Sequence, residues 1–386
     1  MKVCVLAPEN SPSWGGVGTY VYNLVKNLPS NYEKHIVTIN RNVSDSYEKL
    51  LTNENCFIHN ILDVKTDDSF FYNLRFQIAI LRKLKNLDKK YDFDIIQSHS
   101  GHLPHLFSQF QEIAPVVATV HSTSLGMDSN IKQYKTEKSE TEKYMGMFLS
   151  YINLCEKISF ERVDRLIPVS NFTLQEILNL YKVDVMGKST VVPNATDPKM
   201  FQPTDHTNTD ELVVAFIGRF YAIKGFHIFI NAIHEIIKKG YKIKPYLIGR
   251  GNLELVNNYL KTFSSNFRLQ DLAPYDEMPG IYNYADIVVV PSLYENCPSV
   301  VLEAMSAGKI VIASKVGGIP EIIQHEKNGL LFEKGNAADL ESKITAILER
   351  THDVNKIRNN ARETILDKFQ WKEKINDICR IYQNVI

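Results

Sequence analysis

Cysteine is sparse and scattered in this 386-residue sequence: Cys4, Cys56, Cys155, Cys297 and Cys379 form no Cys-x-x-Cys pair. That pattern excludes a zinc knuckle and a disulfide framework and reads as incidental thiols in a reducing compartment. Neither charge sign is in excess, with 44 Lys and Arg against 44 Asp and Glu. No overall field therefore draws the chain to nucleic acid, and no nucleic-acid partner is expected. No apolar run approaches the roughly 20 residues that cross a bilayer. The opening run before Pro8 is too short for a signal-peptide core, so the expected location is the cytoplasm. Short repeats and low-complexity tracts are missing too, which removes solenoids and compositional scaffolds.

What is present is enough apolar residue, 44% against 23% charged, to fill two cores. β-Branched runs that end in Gly, Pro, Ser or His alternate with helical patterns, the mark of parallel α/β layers. The first half has such runs at Lys2 to Ala7, His35 to Ile39, Asp94 to Gln97, Pro115 to Val120, Arg165 to Val169 and Ser189 to Val192. The second half has them at Leu212 to Ile217, Lys244 to Ile248, near Phe267, Asp286 to Val290, Ile310 to Ala313 and Gly329 to Phe332. Two sets of about six strands imply two sheets. The polar stretch from Thr196 to Asp210, with two prolines and no apolar period, reads as a linker between domains at 1–195 and 211–366.

Two segments outside this alternation carry charge. Phe70 to Lys90 is a basic amphipathic helix, either an ordinary cover for the sheet or a peripheral contact with anionic lipid at the inner face of the membrane. Asp128 to Lys143 is dense in mixed charge and reads as a solvated face. Asp92-Phe93-Asp94 has the form of a metal-binding Asp-x-Asp but precedes its strand, at the wrong end of a sheet for ligands, so no metal is expected. His99, His102 and His105 cluster without a neighbouring Cys or carboxylate, which makes them polar groups of an acceptor site or structural loop residues.

In doubly wound sheets ligands bind beyond the carboxyl ends of strands. The first such turn holds Gly15-Gly16-Val17-Gly18, suited to close approach of a phosphate or sugar, or to a tight structural turn. After Val213 to Ile217, Arg219 and Lys224 flank a strand-end turn where they would face an anion such as a diphosphate, unless they are merely solvated. Glu295 and Glu303 lie in a strand-loop-helix segment. With Pro298 as first helical residue, the amides of Ser299 and Val300 would point at an anion. Glu295 has an alternative as an electrostatic cap. Glu303 does not, because an acid in so apolar a stretch needs a hydroxyl partner.

Taken in order, these residues resemble the retaining nucleotide-sugar glycosyltransferases of the GT-B fold, glycosyltransferase family 4 (group 1). The likeness runs through Gly15 to Gly18, Thr119-Val120-His121, Pro168-Val169-Ser170, Val192 to Asp197 and Gly218-Arg219 with Lys224-Gly225. It continues in Gly249-Arg250-Gly251, Ala285-Asp286, the Glu295 and Glu303 pair, and Gly317 to Glu321. The resemblance implies an α/β protein of two Rossmann-like domains facing across a cleft, with a C-terminal helix (367–386) crossing back to the first domain. It implies a hexosyltransferase moving a sugar from a UDP- or GDP-sugar to a glycan or lipid-linked acceptor, with retention and without a metal or other cofactor. Arg219 and Lys224 would neutralise the diphosphate, Glu303 would bind the ribose, and Glu295 would lie beside the sugar. Gly16 would approach the phosphates, and His121 would face the sugar. The loop at Tyr275 to Met278 would hold the base by its main chain.

One departure limits the transfer. Relatives often carry Glu-Gly-Phe-Gly where this chain has Glu295-Asn296-Cys297-Pro298, and a proline has no N–H to offer the sugar. Two rivals share the architecture: a nucleotide-sugar epimerase, for which no catalytic acid and base can be assigned, and a non-catalytic binding scaffold.

Overall fold

Chain order begins with β1 (Lys2–Leu6), α1 (Gly16–Asn27), β2 (Glu33–Asn40), β3 (Cys56–Asp63) and α2 (Tyr72–Tyr91). It continues with β4 (Ile95–His99), β5 (Val116–Val120), α3 (Ser124–Lys132), α4 (Leu149–Arg162), β6 (Arg165–Pro168) and α5 (Asn171–Glu176). The second set is β7 (Leu212–Ile217), α6 (Phe226–Lys238), β8 (Ile243–Ile248), α7 (Leu253–Lys261), β9 (Arg268–Gln270), α8 (Met278–Tyr284) and β10 (Ile287–Val290). After it come α9 (Ser299–Ser306), β11 (Ile310–Ser314), α10 (Ile319–Ile322), β12 (Leu330–Phe332), α11 (Ala337–Leu348), α12 (Val354–Lys368) and α13 (Trp371–Gln383). The computed structural model describes residues 1–9, 11–12, 15–40, 55–64, 72–99, 109–132, 148–204, 211–251, 253–261 and 267–386. Two units emerge, one of Met1–Asp128, Glu140–Asn194 and Trp371–Ile386, the other of Ser129–Ser139 and Ala195–Gln370.

Each unit is built on a parallel sheet. The first runs β3-β2-β1-β4-β5-β6 and the second, from its other edge, β9-β8-β7-β10-β11-β12. Both are therefore the doubly wound order 3-2-1-4-5-6, one topology used twice. Its consequence is local: the order reverses between β1 and β4, registered Val3 to Ile95, and between β7 and β10, registered Val214 to Ile287. Connections leave opposite faces there and open a crevice at the carboxyl ends.

Central strands are buried on both faces, as β-branched runs require. α6 lays Phe226, Phe229, Ile230, Ile233 and Ile236 on the second sheet, all essentially inaccessible, and each such side chain stabilises by about 1.5–3 kcal/mol. α2 does the same for the first sheet with Phe76, Ile80 and Leu84. Three of its six cations bond to the chain: Arg75 Nη2 and Lys83 Nζ donate to the carbonyls of Asp63 (3.3 Å) and Ile61 (2.7 Å), and Lys85 pairs with Glu112. The sheet-cover reading of this helix accounts for these groups, and the membrane contact gains no support from them. Phe70 and Phe71 lie outside the described residues. Among the described residues no helix is long and apolar enough to cross a membrane.

Several boundaries differ from the sequence reading. Ser189 to Val192 is not a strand but a single bridge from Ser189 to Leu166, and the sixth strand of the first sheet is the unforeseen β3. β3 is half-exposed at an edge and carries His59 and Asn60, so it lacks the apolar run of a central strand. The described part of the expected linker, 196–204, is packed in the second unit. Phe201 is fully buried, and Arg362 donates to the carbonyls of Pro198 and Phe201 at 2.8 Å each. Residues 205–210 lie outside the described set, as does 133–143 of the charged stretch. The last helix starts at Trp371 and not 367, because Asp367 and Lys368 finish α12. Tyr382 of α13 donates to Gln97 Oε1 of β4 at 2.8 Å within the first unit.

Candidate active site

At the second switch point the loops after β7 and β10 meet. The Leu293 amide donates to the Ile223 carbonyl at 2.7 Å. Gly225, the cap of α6, sits at φ 70°, and a Cβ there would lie 1.9 Å from the Pro291 carbonyl oxygen. Only glycine allows this approach. It brings Lys224 Nζ to 2.5 Å from Glu295 Oε1, which also accepts from Ser292 Oγ at 2.9 Å, while the Glu295 carbonyl accepts from the Gly318 amide. Glu295 is 12% and Lys224 34% exposed, so the pair rims a recess lined by Gly218, Lys224, Ser292, Glu295 and Val300. Arg219 is half-buried on the same turn, its guanidinium 6.0 Å from the centre of the Tyr221 ring.

α9 starts one residue later than expected, with Pro298 as its cap, because the Pro298 carbonyl already accepts from Val301 and Leu302. The amides of Ser299 and Val300 take no acceptor among the described residues, which leaves two aligned donors at a helix start. Further along α9, Glu303 is buried and Tyr282 of α8 donates to its Oε2 at 2.6 Å. This is the hydroxyl the apolar setting demanded. Burial pushes the Glu303 carboxyl up to about 7, and the Tyr282 bond opposes that rise. Tyr275 and Met278 are buried side chains at the start of α8, Tyr275 edge-on to Phe201. The Met278 amide closes onto the Tyr275 carbonyl, and Asp276 and Glu277 between them are exposed.

In the first unit the glycine turn divides its labour. Gly15 is at φ 124°, and a Cβ on Gly18 would lie 1.9 Å from the Ser11 carbonyl oxygen, whereas one on Gly16 would meet nothing within 4 Å. Gly15 and Gly18 are thus required by the turn, whereas among the described residues nothing requires Gly16 to be glycine. After β5, His121 Nε2 lies 3.1 Å from Nδ1 of His99, the last residue of β4. Tyr20 meets both rings edge-on at 4.6 and 5.6 Å. His99 is buried, so it stands behind His121 and does not open to solvent. His102 and His105 lie outside the described residues.

The segment after His121 is held by two buried carboxylates that sequence reasoning missed. Glu156 accepts from the Ser124 amide (3.0 Å), Ser124 Oγ (2.9 Å) and the Tyr181 hydroxyl, and Glu176 accepts from Thr123 Oγ1 at 3.0 Å. Burial raises the Glu156 carboxyl, and these three donors pull it back. Tyr282 and Ser292 were missed likewise; the only trace was the need of Glu303 for a hydroxyl. Asp94 of the Asp-x-Asp accepts from the Lys2 amide at 2.7 Å, at the amino end of β1. Among the described residues no three His, Cys, Asp or Glu are grouped to hold a metal ion.

Residues 199–364 match the glycosyl transferases group 1 family and residues 14–199 match glycosyltransferase family 4. An uncharacterised glycosyltransferase of Methanocaldococcus jannaschii is 28% identical over 97% of this chain and 96% of its own length. The Escherichia coli UDP-Gal:α-D-GlcNAc-diphosphoundecaprenol α-1,3-galactosyltransferase is 25% identical over 87% and 89%. Among solved structures, sucrose-phosphate synthase of Thermosynechococcus elongatus superposes with a TM-score of 0.82 at 21% identity over 99% and 98% of the two chains. The Anabaena protein HepE in complex with UDP-glucose gives 0.77 at 17% identity over the full length of both. The fold and the two family matches together define a glycosyltransferase of the GT-B fold. The chain belongs to the group 1 glycosyltransferases, family 4.

Proposed function

We propose that the chain transfers a hexose-type sugar from a nucleoside-diphosphate donor to a glycan or lipid-linked acceptor, with retention of anomeric configuration and without a metal. The observation that carries this reading is the second switch point. There Lys224, Ser292, Glu295 and Val300 line one recess with Gly218; Arg219 lies on the turn that carries Lys224, and the open amides of Ser299 and Val300 begin the helix that carries Glu303. Breaking the anomeric bond leaves positive character on the sugar and an added negative charge on the diphosphate. Preorganised donors aimed at that charge lower the barrier. Lys224 has three N–H donors, so its bond to Glu295 leaves two for a phosphate. In this reading Glu295 lies beside the sugar, Glu303 binds the ribose, and the Tyr275 to Met278 turn holds the base.

In the first unit, the Gly16 amide at the start of α1 approaches a phosphate, and His121 faces the sugar with His99 behind it. No residue is placed as a covalent nucleophile, so the acceptor hydroxyl attacks the face the diphosphate leaves. UDP-sugars are the first donors to test, because the E. coli relative is named for UDP-galactose and a diphosphoundecaprenol acceptor, and HepE was solved with UDP-glucose.

The test is nucleotide release from a panel of UDP- and GDP-sugars with and without lipid-linked and free glycan acceptors, followed by NMR of the product's anomeric centre. Acceptor-dependent release with the donor's anomeric configuration supports the reading. Sugar conversion without acceptor points to an epimerase, absence of any turnover to a scaffold, and inverted product overturns the same-face attack.

A further inference from the structure

Glu303 is the residue of this site whose protonation state is most exposed to error. A ribose offers two adjacent hydroxyls, and an ionised carboxylate accepts from both, whereas a protonated one must give up an acceptor to carry its own hydrogen. Burial works against ionisation, and one group works for it: the Tyr282 hydroxyl at 2.6 Å from Oε2. Tyr282 is itself fully buried, its ring edge-on to Phe201 at 5.5 Å, and its own proton is lost only well above the usual tyrosine range. It therefore donates at any pH at which the protein works. Oε1 of Glu303 takes no donor among the described residues.

The other charged groups packed around α9 are committed elsewhere. From α12, Arg358 donates to the Gly308 carbonyl, and Arg362 to the carbonyls of Ser306 and Phe201. Below the helix, Lys309 Nζ donates to the Asn283 carbonyl, and Asp286 accepts from the Val213 amide. Tyr275 stands behind Tyr282, and β10 and β11 carry no titratable side chain. Tyr282 alone bears on the carboxyl.

We propose that Tyr282 is a positioning residue of the nucleotide site, anchoring one oxygen of Glu303 so that the carboxylate stays ionised and turns its other oxygen to the ribose. This rests on the reading that Glu303 binds the ribose, and it assigns a role to a residue that never touches the ligand. A purely structural Tyr282, whose buried hydroxyl has simply found an acceptor, would affect stability and leave the titration of the site unmoved.

The experiment is calorimetric binding of UDP and 2′-deoxy-UDP from pH 6 to 9 to the full-length protein and to Tyr282→Phe and Glu303→Gln, with GDP and ADP and their 2′-deoxy forms as alternative probes. In the wild type, preference for the ribo form grows as Glu303 ionises, by on the order of tenfold to a hundredfold. Tyr282→Phe moves the midpoint of that growth up by a pH unit or more and recovers the preference at the alkaline end. Glu303→Gln shows no preference at any pH and reports the titration of the nucleotide's own phosphate.

If Glu303→Gln keeps the preference, or none of the nucleotides binds, the ribose reading falls and the proposal with it. If Glu303→Gln loses it while Tyr282→Phe keeps the wild-type midpoint, the reading stands and the role of Tyr282 is overturned. Should Tyr282→Phe not fold, wild-type protein carrying 3-fluorotyrosine, a stronger acid of nearly equal volume, is measured instead. Its midpoint moves down if the hydroxyl holds the carboxylate and stays put if it does not.

Discussion

In the proposed reaction single side chains at the second switch point carry the chemistry, and their removal separates rate from stability. Arg219→Ala and Lys224→Ala are expected to lower transfer on the order of a hundredfold or more, because each removes a preorganised partner of the leaving group. Steady-state nucleotide release checks this, and a loss below fivefold would remove that residue from the mechanism. Glu303→Gln should move the other way in stability. Burial pushes the Glu303 carboxyl from its ordinary value of 4.5 up to about 7 in the folded chain, so the folded state holds the extra proton. Stability therefore falls as pH rises from about 4.5 to about 7, by a total on the order of 3 kcal/mol. The glutamine variant should lose that slope and unfold at higher denaturant than wild type at pH 8, while matching it near pH 4. Arg219, Lys224 and Glu295 stood out in the sequence because each sits in or beside a strand-end turn, and Glu303 because it is an acid in an apolar helical stretch. Tyr282 did not, since it reaches Glu303 from another helix.

Turns and edges behave as units. Gly225→Ala puts a Cβ into the Pro291 carbonyl at a positive φ and should cost more than about 2 kcal/mol. Gly16→Ala meets nothing among the described residues and should leave the unfolding free energy within about 0.5 kcal/mol of wild type. If that glycine meets phosphate, the same variant weakens donor binding, so a melt and a titration on one sample decide the matter. At the far edge of the first sheet His59 Nε2 lies 2.9 Å from His35 Nδ1, and His35 Nε2 bonds to Glu33. Burial lowers both imidazoles, His59 to about 4. Neutral rings are favoured in the folded state, so this contribution is full above about 6.5 and is lost as pH falls toward 4. Amide exchange in β3, corrected for intrinsic rate, should accelerate relative to β1 over that range. Equal protection in both strands would count against the histidine pair. β3 itself escaped the sequence reading because an edge strand need not be apolar on both faces.

For the whole molecule, a nucleotide that binds only the folded state raises its stability by mass action, by about 2.7 kcal/mol at a hundred times Kd. A panel of UDP, GDP and ADP should give one selective shift in melting midpoint, abolished by Arg219→Ala. Equal shifts for all three would mean that phosphate, and not the base, is what the site reads. The two units repeat one topology, and in each the order of strands decides where a crevice opens. That is why residues as far apart in sequence as Lys224 and Glu295 share one ion pair.

Alternating β-branched runs and turn residues were enough to establish an α/β chain of two sheets, because strand and helix periods are local properties. The strand-end positions of Arg219, Lys224 and Glu295, and the helical position of Glu303, followed from the same local pattern. Long-range packing decided the rest. It anchored Thr196 to Phe201 of the expected linker through the buried Phe201 and Arg362, gave β3 its place in the first sheet, and set two tyrosines, Tyr181 and Tyr282, against Glu156 and Glu303. Desolvation depends on everything that surrounds a group, so the protonation of a buried carboxylate is settled only when the whole chain has folded around it.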